Sequence, residues 1–182
     1  MNENRLFALT DVETSGLDYT IHEIVEIGLV LFDPDTLEVI KVFECKVKPA
    51  KPEVFDPKAR AVNGYNEDDW LQAISLQKAM AVYGEMTKDA VFCAYNVTFD
   101  WGFINEAFKK TGNVCQMHYH RFDIMSMAWI LLASKGLSRF SMRNVAQYLS
   151  IPEEPEPHRA INGAMTEFEI FKALLLKSRE KV

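Results

Sequence analysis

Residues 24–36 read Ile24-Val25-Glu26-Ile27-Gly28-Leu29-Val30-Leu31-Phe32-Asp33-Pro34-Asp35-Thr36, an apolar, β-branched run that ends in a turn signal. Nine such residues before an Asp-Pro-Asp-Thr tetrapeptide predict a buried strand and a tight turn. Val39 to Val47 follows with partial apolar–polar alternation, so the two runs form a hairpin. Upstream, Leu6 to Thr10 is a short apolar run of the same kind, and the chain therefore starts as a three-stranded meander. Downstream, Lys48 to Pro57 carries Pro49, Pro52 and Pro57 and reads as a loop.

The remaining chain alternates. Ser75 to Lys88 is helical, with Leu76, Ala79, Met80 and Tyr83 as its apolar positions. Ala90 to Tyr95 is a strand, and Val97 to Lys110 is a helix with the stripe Val97, Trp101, Ile104, Phe108, stopped by Gly112. His118 to Phe122 is a short strand. Asp123 caps a helix from Ile124 to Ala133, and Ser141 caps another that runs to Leu149. Ile151 to Pro157 is a stiff, extended loop. His158 opens a last helix with the stripe Ala160, Ala164, Phe168, Phe171, Leu175. Three strands, then alternating helices and strands, then helices predict an α/β fold: one mixed sheet with helices packed on it.

The 182 residues fit one domain spanning 1–182, and a chain of that length buries a core without staples. The 20 Lys+Arg against 26 Asp+Glu give a net charge of −6, which speaks against a protein that coats duplex DNA but not against an enzyme acting on a short single strand. Ile124 to Ser134, the longest run without a charged residue, is too short for a membrane span of about 20 residues, so no membrane role is expected. The start, MNENRLFALTDVE, lacks an apolar signal-peptide core. Cys45, Cys93 and Cys115 are odd in number and widely spaced, as expected of reduced thiols in a cytoplasmic protein.

Three short segments carry candidate chemistry. In Asp11-Val12-Glu13-Thr14-Ser15-Gly16, two carboxylates at i and i+2 of an extended chain point to one face. They offer hard oxygens suited to Mg²⁺ or Mn²⁺, and Gly16 lets the backbone turn close to a ligand. A solvated strand end explains the same residues. In Asn96-Val97-Thr98-Phe99-Asp100, the asparagine falls at a strand-to-helix junction and Asp100 in the first helical turn. A cap and the helix dipole account for both. In His158-Arg159-Ala160, a histidine held at a helix start can act as a general base near neutral pH; alone it reads as a surface histidine. His22-Glu23 is only half of a zinc-protease motif, and His118 and His120 on one strand face suit a structural role better than a metal. Lys135, Arg139 and Arg143 cluster before the third segment as a solvated face or a phosphate contact.

Taken together, the segments resemble the DnaQ-like 3′–5′ exonucleases of the DEDDh class, such as the exonuclease domain of the DNA polymerase III epsilon type. DVETSGLD (11–18) is similar to that family's DxETxGLD, NVTFD (96–100) to its NxxFD, and HRAINGA (158–164) to its HRAxxDA. The flanks HEIVEIGLV, AVNGY and FDIMSMAWIL also look familial. The resemblance spans nearly the whole chain and implies a ribonuclease H-like fold. It also implies two divalent cations, Mg²⁺ or Mn²⁺, and hydrolysis of phosphodiester bonds at the 3′ end of single-stranded nucleic acid, DNA before RNA. By position, Asp11 would bridge the cations, Glu13 and Asp100 would each complete one, and His158 would deprotonate the attacking water. Thr14, Ser15 and Gly16 would hold the terminal nucleotide, Leu17 would wedge against its base, and Asn96, Phe99, Arg139 and Arg143 would make the remaining contacts.

One position departs from the family pattern. The last acid of the third motif is replaced by Gly163. Glycine in a helix costs about 1 kcal/mol against alanine, so local stability does not account for it. Three readings stand: a degenerate domain that binds nucleic acid or a partner protein without cleaving, a deliberate inactivation, or a substitute ligand. For the last, Glu167 lies one helical turn along on the same face and Asn162 is adjacent.

Overall fold

The computed structural model describes residues 5–179. Met1 to Asn4, on which part of the signal-peptide reading rests, lie outside the described residues. The expected meander is present as β1 (Phe7–Thr14), β2 (Ile24–Phe32) and β3 (Val39–Lys46), paired antiparallel in sequence. Two further strands, β4 (Val91–Ala94) and β5 (Arg121–Asp123), add parallel to the free edge of β1. The sheet is therefore mixed, in the order β3-β2-β1-β4-β5.

Six helices cover it: α1 (Pro57–Asn63), α2 (Leu76–Met86), α3 (Val97–Thr111), α4 (Ile124–Leu132), α5 (Met142–Tyr148) and α6 (Ala160–Arg179). Strand alternation sorts the core into two layers. Ala8 and Val12 of β1 join Ile27 and Leu29 of β2 under α2 and α3, with Met80, Tyr83, Ile104 and Phe108. Leu9 of β1 joins Val30 and Phe32 of β2 on the opposite face, under α4 and α6, with Ile124, Ala164, Phe168 and Phe171. The odd residues of β1 thus face α6, and Asp11 and Glu13 belong to that set.

The structure departs from the sequence reading at several elements. β1 runs through Thr14 rather than stopping at Thr10, because it keeps pairing with β2 as far as Ile24. Helix α1 was not expected. It follows the proline loop, with Pro57 in its first turn, Asp56 Oδ1 accepting from Lys58 N at 2.7 Å, and Gly64 closing it at φ 63°. Its single buried residue is a polar one, Asn63, so no apolar periodicity announces it. β5 lies three residues later than the predicted strand, since it pairs with β4 only from Arg121. In α3 the buried face is Asp100, Phe103, Ile104, Ala107 and Phe108, and Trp101 is displaced to its margin by stacking under the Arg121 guanidinium at 3.4 Å. The last helix begins at Ala160, not at His158, whose N–H donates to Val62 O of α1.

Candidate active site

The first-motif carboxylates sit near the C-terminal end of β1, in register with β2: Asp11 opposite Gly28 and Glu13 opposite Glu26. Asp100 enters from α3. It is buried, and its Oδ1 accepts the Val12 N–H at 3.1 Å, which ties the first turn of α3 to the strand between the two β1 acids. The turn that delivers Asp100 runs through Asn96 in the left-handed conformation (φ 63°). The Asn96 side chain does not cap α3: it accepts from the Thr98 hydroxyl at 3.2 Å. The cap comes instead from Asp123, whose Oδ1 accepts from Val97 N at 2.9 Å while its Oδ2 accepts from Ser126 N at 2.8 Å. One aspartate therefore anchors the starts of both α3 and α4.

Helix α6 crosses the sheet directly over these acids. Two glycines permit the approach. A Cβ on Gly28 would meet the Ala160 carbonyl oxygen at 2.2 Å, and a Cβ on Gly163 would meet Asp11 Oδ2 at 2.3 Å. The helix start is then fastened by Glu26, a buried acid in an otherwise apolar strand. Its Oε2 accepts from Ala160 N at 3.2 Å and its Oε1 pairs with Arg159 Nη1 at 3.1 Å. Arg159 also donates to Asn63 O at 3.0 Å. Glu154, in the proline loop, accepts from Arg159 N at 3.2 Å through Oε1 and holds His158 Nδ1 at 3.2 Å through Oε2. The imidazole is thus oriented by a carboxylate while 41% of the side chain stays exposed.

Glu167, one turn beyond Gly163, is 2% exposed, and its Oε2 has no hydrogen-bond partner. Burial together with the charges of Asp11 and Asp100 raises its carboxyl well above the usual range, against the Tyr95 backbone N–H, just past β4, which favours the charged form. The same causes act on its neighbours. Burial, then Asp100, Glu154 and Glu26, raise Asp11 strongly; burial, then Asp11, push Glu13 up to about 8; burial pushes Asp100 to about 8 against the opposing bond from Val12. Each shift is led by burial, which penalises the charged form, and the neighbouring carboxylates add to it. Among the described residues, no three His, Cys, Asp or Glu side chains already stand at metal-holding distance from one another. The donor chemistry nonetheless fits a hard divalent cation: four carboxylates within one another's field and one buried carboxylate oxygen unsatisfied.

The loop after β1 forms one margin of the site. Thr14 Oγ1 donates to Gly16 O at 2.7 Å and Ser15 Oγ accepts from Glu23 N at 2.9 Å, so both side chains serve the loop's own shape. The His22 imidazole lies where a Gly16 Cβ would be, at 2.3 Å, and its Nδ1 accepts from Asp18 N. His22 is thereby a loop clasp. Leu17 projects from the tip, 79% exposed. Tyr19 packs on Gly102 of α3 and meets Phe103 edge-on, with Phe99 beside Phe103 at 5.1 Å between centroids. Leu17, Tyr19 and Phe99 give this margin an apolar character that sequence reading found only in part, since the Tyr19–Gly102 contact is long-range. Arg139 is exposed in the loop before α5, and Arg143 pairs with Glu153 at 3.0 Å. Neither touches the acids. Glu26, Glu154 and Arg159 were not singled out from sequence; the signal available was a lone acid within the apolar run of β2.

A mixed five-stranded sheet with carboxylates at the end of its central strand and on the helices beside it defines a nuclease of the ribonuclease H-like fold. A model of the exonuclease family, RNase T type, matches residues 9–171, and the chain belongs to that family. The 3′–5′ DNA exonuclease Cap18 of Escherichia coli is 30% identical over 189 residues, covering 98% of this chain and 96% of its own. The PolC-type DNA polymerase III of Caldanaerobacter subterraneus subsp. tengcongensis is 27% identical over 174 residues. That alignment takes in 96% of this chain, which spans only 12% of the polymerase's length. Among solved structures, E. coli exonuclease I in complex with a dT13 oligonucleotide superposes with a TM-score of 0.78 at 18% identity, covering 97% of this chain and 42% of that one. No helix among the described residues is long and apolar enough to cross a membrane.

Proposed function

We propose that this chain, as a single exonuclease-like domain over residues 1–182, removes nucleotides from the 3′ end of single-stranded nucleic acid, DNA in preference to RNA, in the cytoplasm. The observation that carries this reading is the burial, partial or complete, of Asp11, Glu13, Asp100 and Glu167 in one another's electrostatic reach, with Glu154, which orients His158, acting on Asp11, Glu13 and Glu167 as well. The names of relatives support the direction and the polymer: Cap18 is a 3′–5′ DNA exonuclease, and the exonuclease I neighbour was solved with an oligonucleotide.

Asp11, Glu13 and Asp100 would hold two divalent cations, Mg²⁺ or Mn²⁺. Two such cations, when bound, stabilise the charge on the attacking and leaving oxygens of a phosphodiester displacement. The chain's own residues supply the rest. With Nδ1–H donating to Glu154, the free Nε2 of His158 takes the proton from the attacking water. The water oxygen bonds to phosphorus and the 3′ oxygen of the penultimate nucleotide leaves, releasing a nucleoside 5′-monophosphate. Leu17 wedges against the terminal base, and Tyr19 and Phe99 line the same margin. Asn96 acts through its left-handed backbone, which aims Asp100. Arg139, exposed, would serve as a phosphate contact, with Arg143 available once it exchanges Glu153 for phosphate.

The test is release of mononucleotides from a 5′-labelled and a 3′-labelled oligonucleotide by wild-type protein and by Asp11→Ala. Wild type should shorten the strand from its 3′ end only in the presence of a divalent cation, and Asp11→Ala should lower the rate by at least a thousandfold. Equal rates for the two proteins would place the activity elsewhere and sink the reading.

A further inference from the structure

Gly163 removes the carboxylate that the third motif would have carried, yet α6 still reaches the acids at that point. The position of a Gly163 Cβ lies 2.3 Å from Asp11 Oδ2 and 2.8 Å from its Cγ, so the helix backbone touches the Asp11 side chain. Residues four apart on a helix are stacked neighbours on one face. Glu167 is therefore on the face that meets Asp11. It lies in the layer of Ala164, Phe168 and Phe171, where a carboxylate has no packing purpose. Its Oε2 is buried without a hydrogen-bond partner. An orphaned buried carboxylate oxygen destabilises the fold if nothing satisfies it. The chief charges acting on it, among the described residues, are those of Asp11, Asp100 and Glu154, all negative.

We propose that Glu167 supplies the cation-binding carboxylate that Gly163 lacks, reaching the same centre from one helical turn further along. The longer side chain offsets the greater distance of its Cα from Asp11. The glycine is the counterpart of this exchange: with a side chain at both 163 and 167, two carboxylates and Asp11 would compete for one space. This rests on the function proposed above, and it assigns the fourth ligand differently from the motif pattern. Glu167 Oε1 and Oε2 become a hard-oxygen donor in place of a missing aspartate, and the centre is complete rather than damaged.

The experiment is Mn²⁺ binding to the full chain by calorimetry, with the Mn²⁺-induced rise in melting temperature as a second readout. The proteins are wild type, Asp11→Asn, Glu167→Gln and the double variant Gly163→Asp/Glu167→Gln. Glu167→Gln is isosteric and removes a buried charge, so it should fold and melt no lower than wild type without metal. Its Mn²⁺ affinity should fall at least tenfold and its metal-induced stabilisation should shrink. The double variant should regain part of both, since Glu167→Gln takes away the second negative charge while the new Cβ at 163 still presses on Asp11. Wild-type Mn²⁺ affinity in Glu167→Gln overturns the proposal. A folded double variant with no regained affinity overturns the claim that residues 163 and 167 serve one ligand position. Asp11→Asn separates the two readings: if it loses binding while Glu167→Gln does not, only the role of Glu167 fails. If neither loses binding, the carboxylate centre itself fails, and the proposed function with it.

Discussion

Replacing Gly28 by alanine perturbs the site without touching any group that binds or reacts. The added Cβ would lie 2.2 Å from the Ala160 carbonyl oxygen, 2.3 Å from its carbon and 2.5 Å from Ile161 N. Ordinary contact begins near 3.4 Å, so the start of α6 must retreat by about 1 Å (3.4 − 2.2). Backbone on both sides makes this a shift of elements rather than of a flexible side chain. Overpacking of this kind costs about 1–3 kcal/mol. Loss of the Glu26–Ala160 bond, already 3.2 Å long, adds about 1 kcal/mol as a lost helix cap. Reduced entropy of the unfolded chain returns about 0.4–1 kcal/mol. The net is about 2 kcal/mol, or roughly 4–8 °C in melting temperature for a chain of this size. Because Gly163 and His158 move with the helix, a displacement of about 1 Å should lower single-turnover cleavage by about a hundredfold. Urea and thermal melts give the first quantity and rapid-quench cleavage the second. Wild-type stability together with a wild-type rate would refute the claim that α6 rides on Gly28.

Two further outcomes follow from the crowding of acids. In chelator, the folded chain should lose stability as pH rises from about 5 to about 8. Asp100 and Glu13 keep their protons up to about 8 in the fold and release them at ordinary carboxylate values when unfolded, so the native state binds more protons across this window. Each proton held lowers the unfolding free energy by about 1.4 kcal/mol per pH unit. Urea titrations at pH 5, 6.5 and 8 check this, and a flat or rising profile would contradict it; saturating Mn²⁺ should flatten the fall. Gly163→Asp alone, with Glu167 in place, should gain less than tenfold in rate and should melt below wild type in chelator, because its Cβ displaces the Asp11 carboxylate and adds a further like charge. A large gain in rate would mean that position 163 does need its own acid.

Much of this architecture is legible locally. The apolar run of β2 and its Asp-Pro turn announce the meander, and the i, i+2 spacing of Asp11 and Glu13 already puts both on one face, as the pairing with Gly28 and Glu26 bears out. Local patterns fail where the deciding contact is distant. Helix α1 buries a single polar side chain, so it has no periodicity to find. The start of α6 is set not by residues beside it but by Glu26, 133 positions away from Arg159, and His158 is drawn out of the helix by Val62 and Glu154. Glu26 and Glu167 are both buried acids, the first within the apolar run of β2 and the second on the packed face of α6. In the fold both prove to be structural demands on a partner. Glu26 meets its demand with Arg159 and the Ala160 N–H. Glu167 leaves its Oε2 unanswered. A carboxylate retained there without a partner destabilises the metal-free protein, and Asp11 and Asp100, followed by Glu154, are the acids among the described residues that act on it and could share a counter-charge with it. Gly163, beside Asp11, and Glu167, beyond it, are therefore one substitution expressed at two positions, with the acid moved along the helix by one turn.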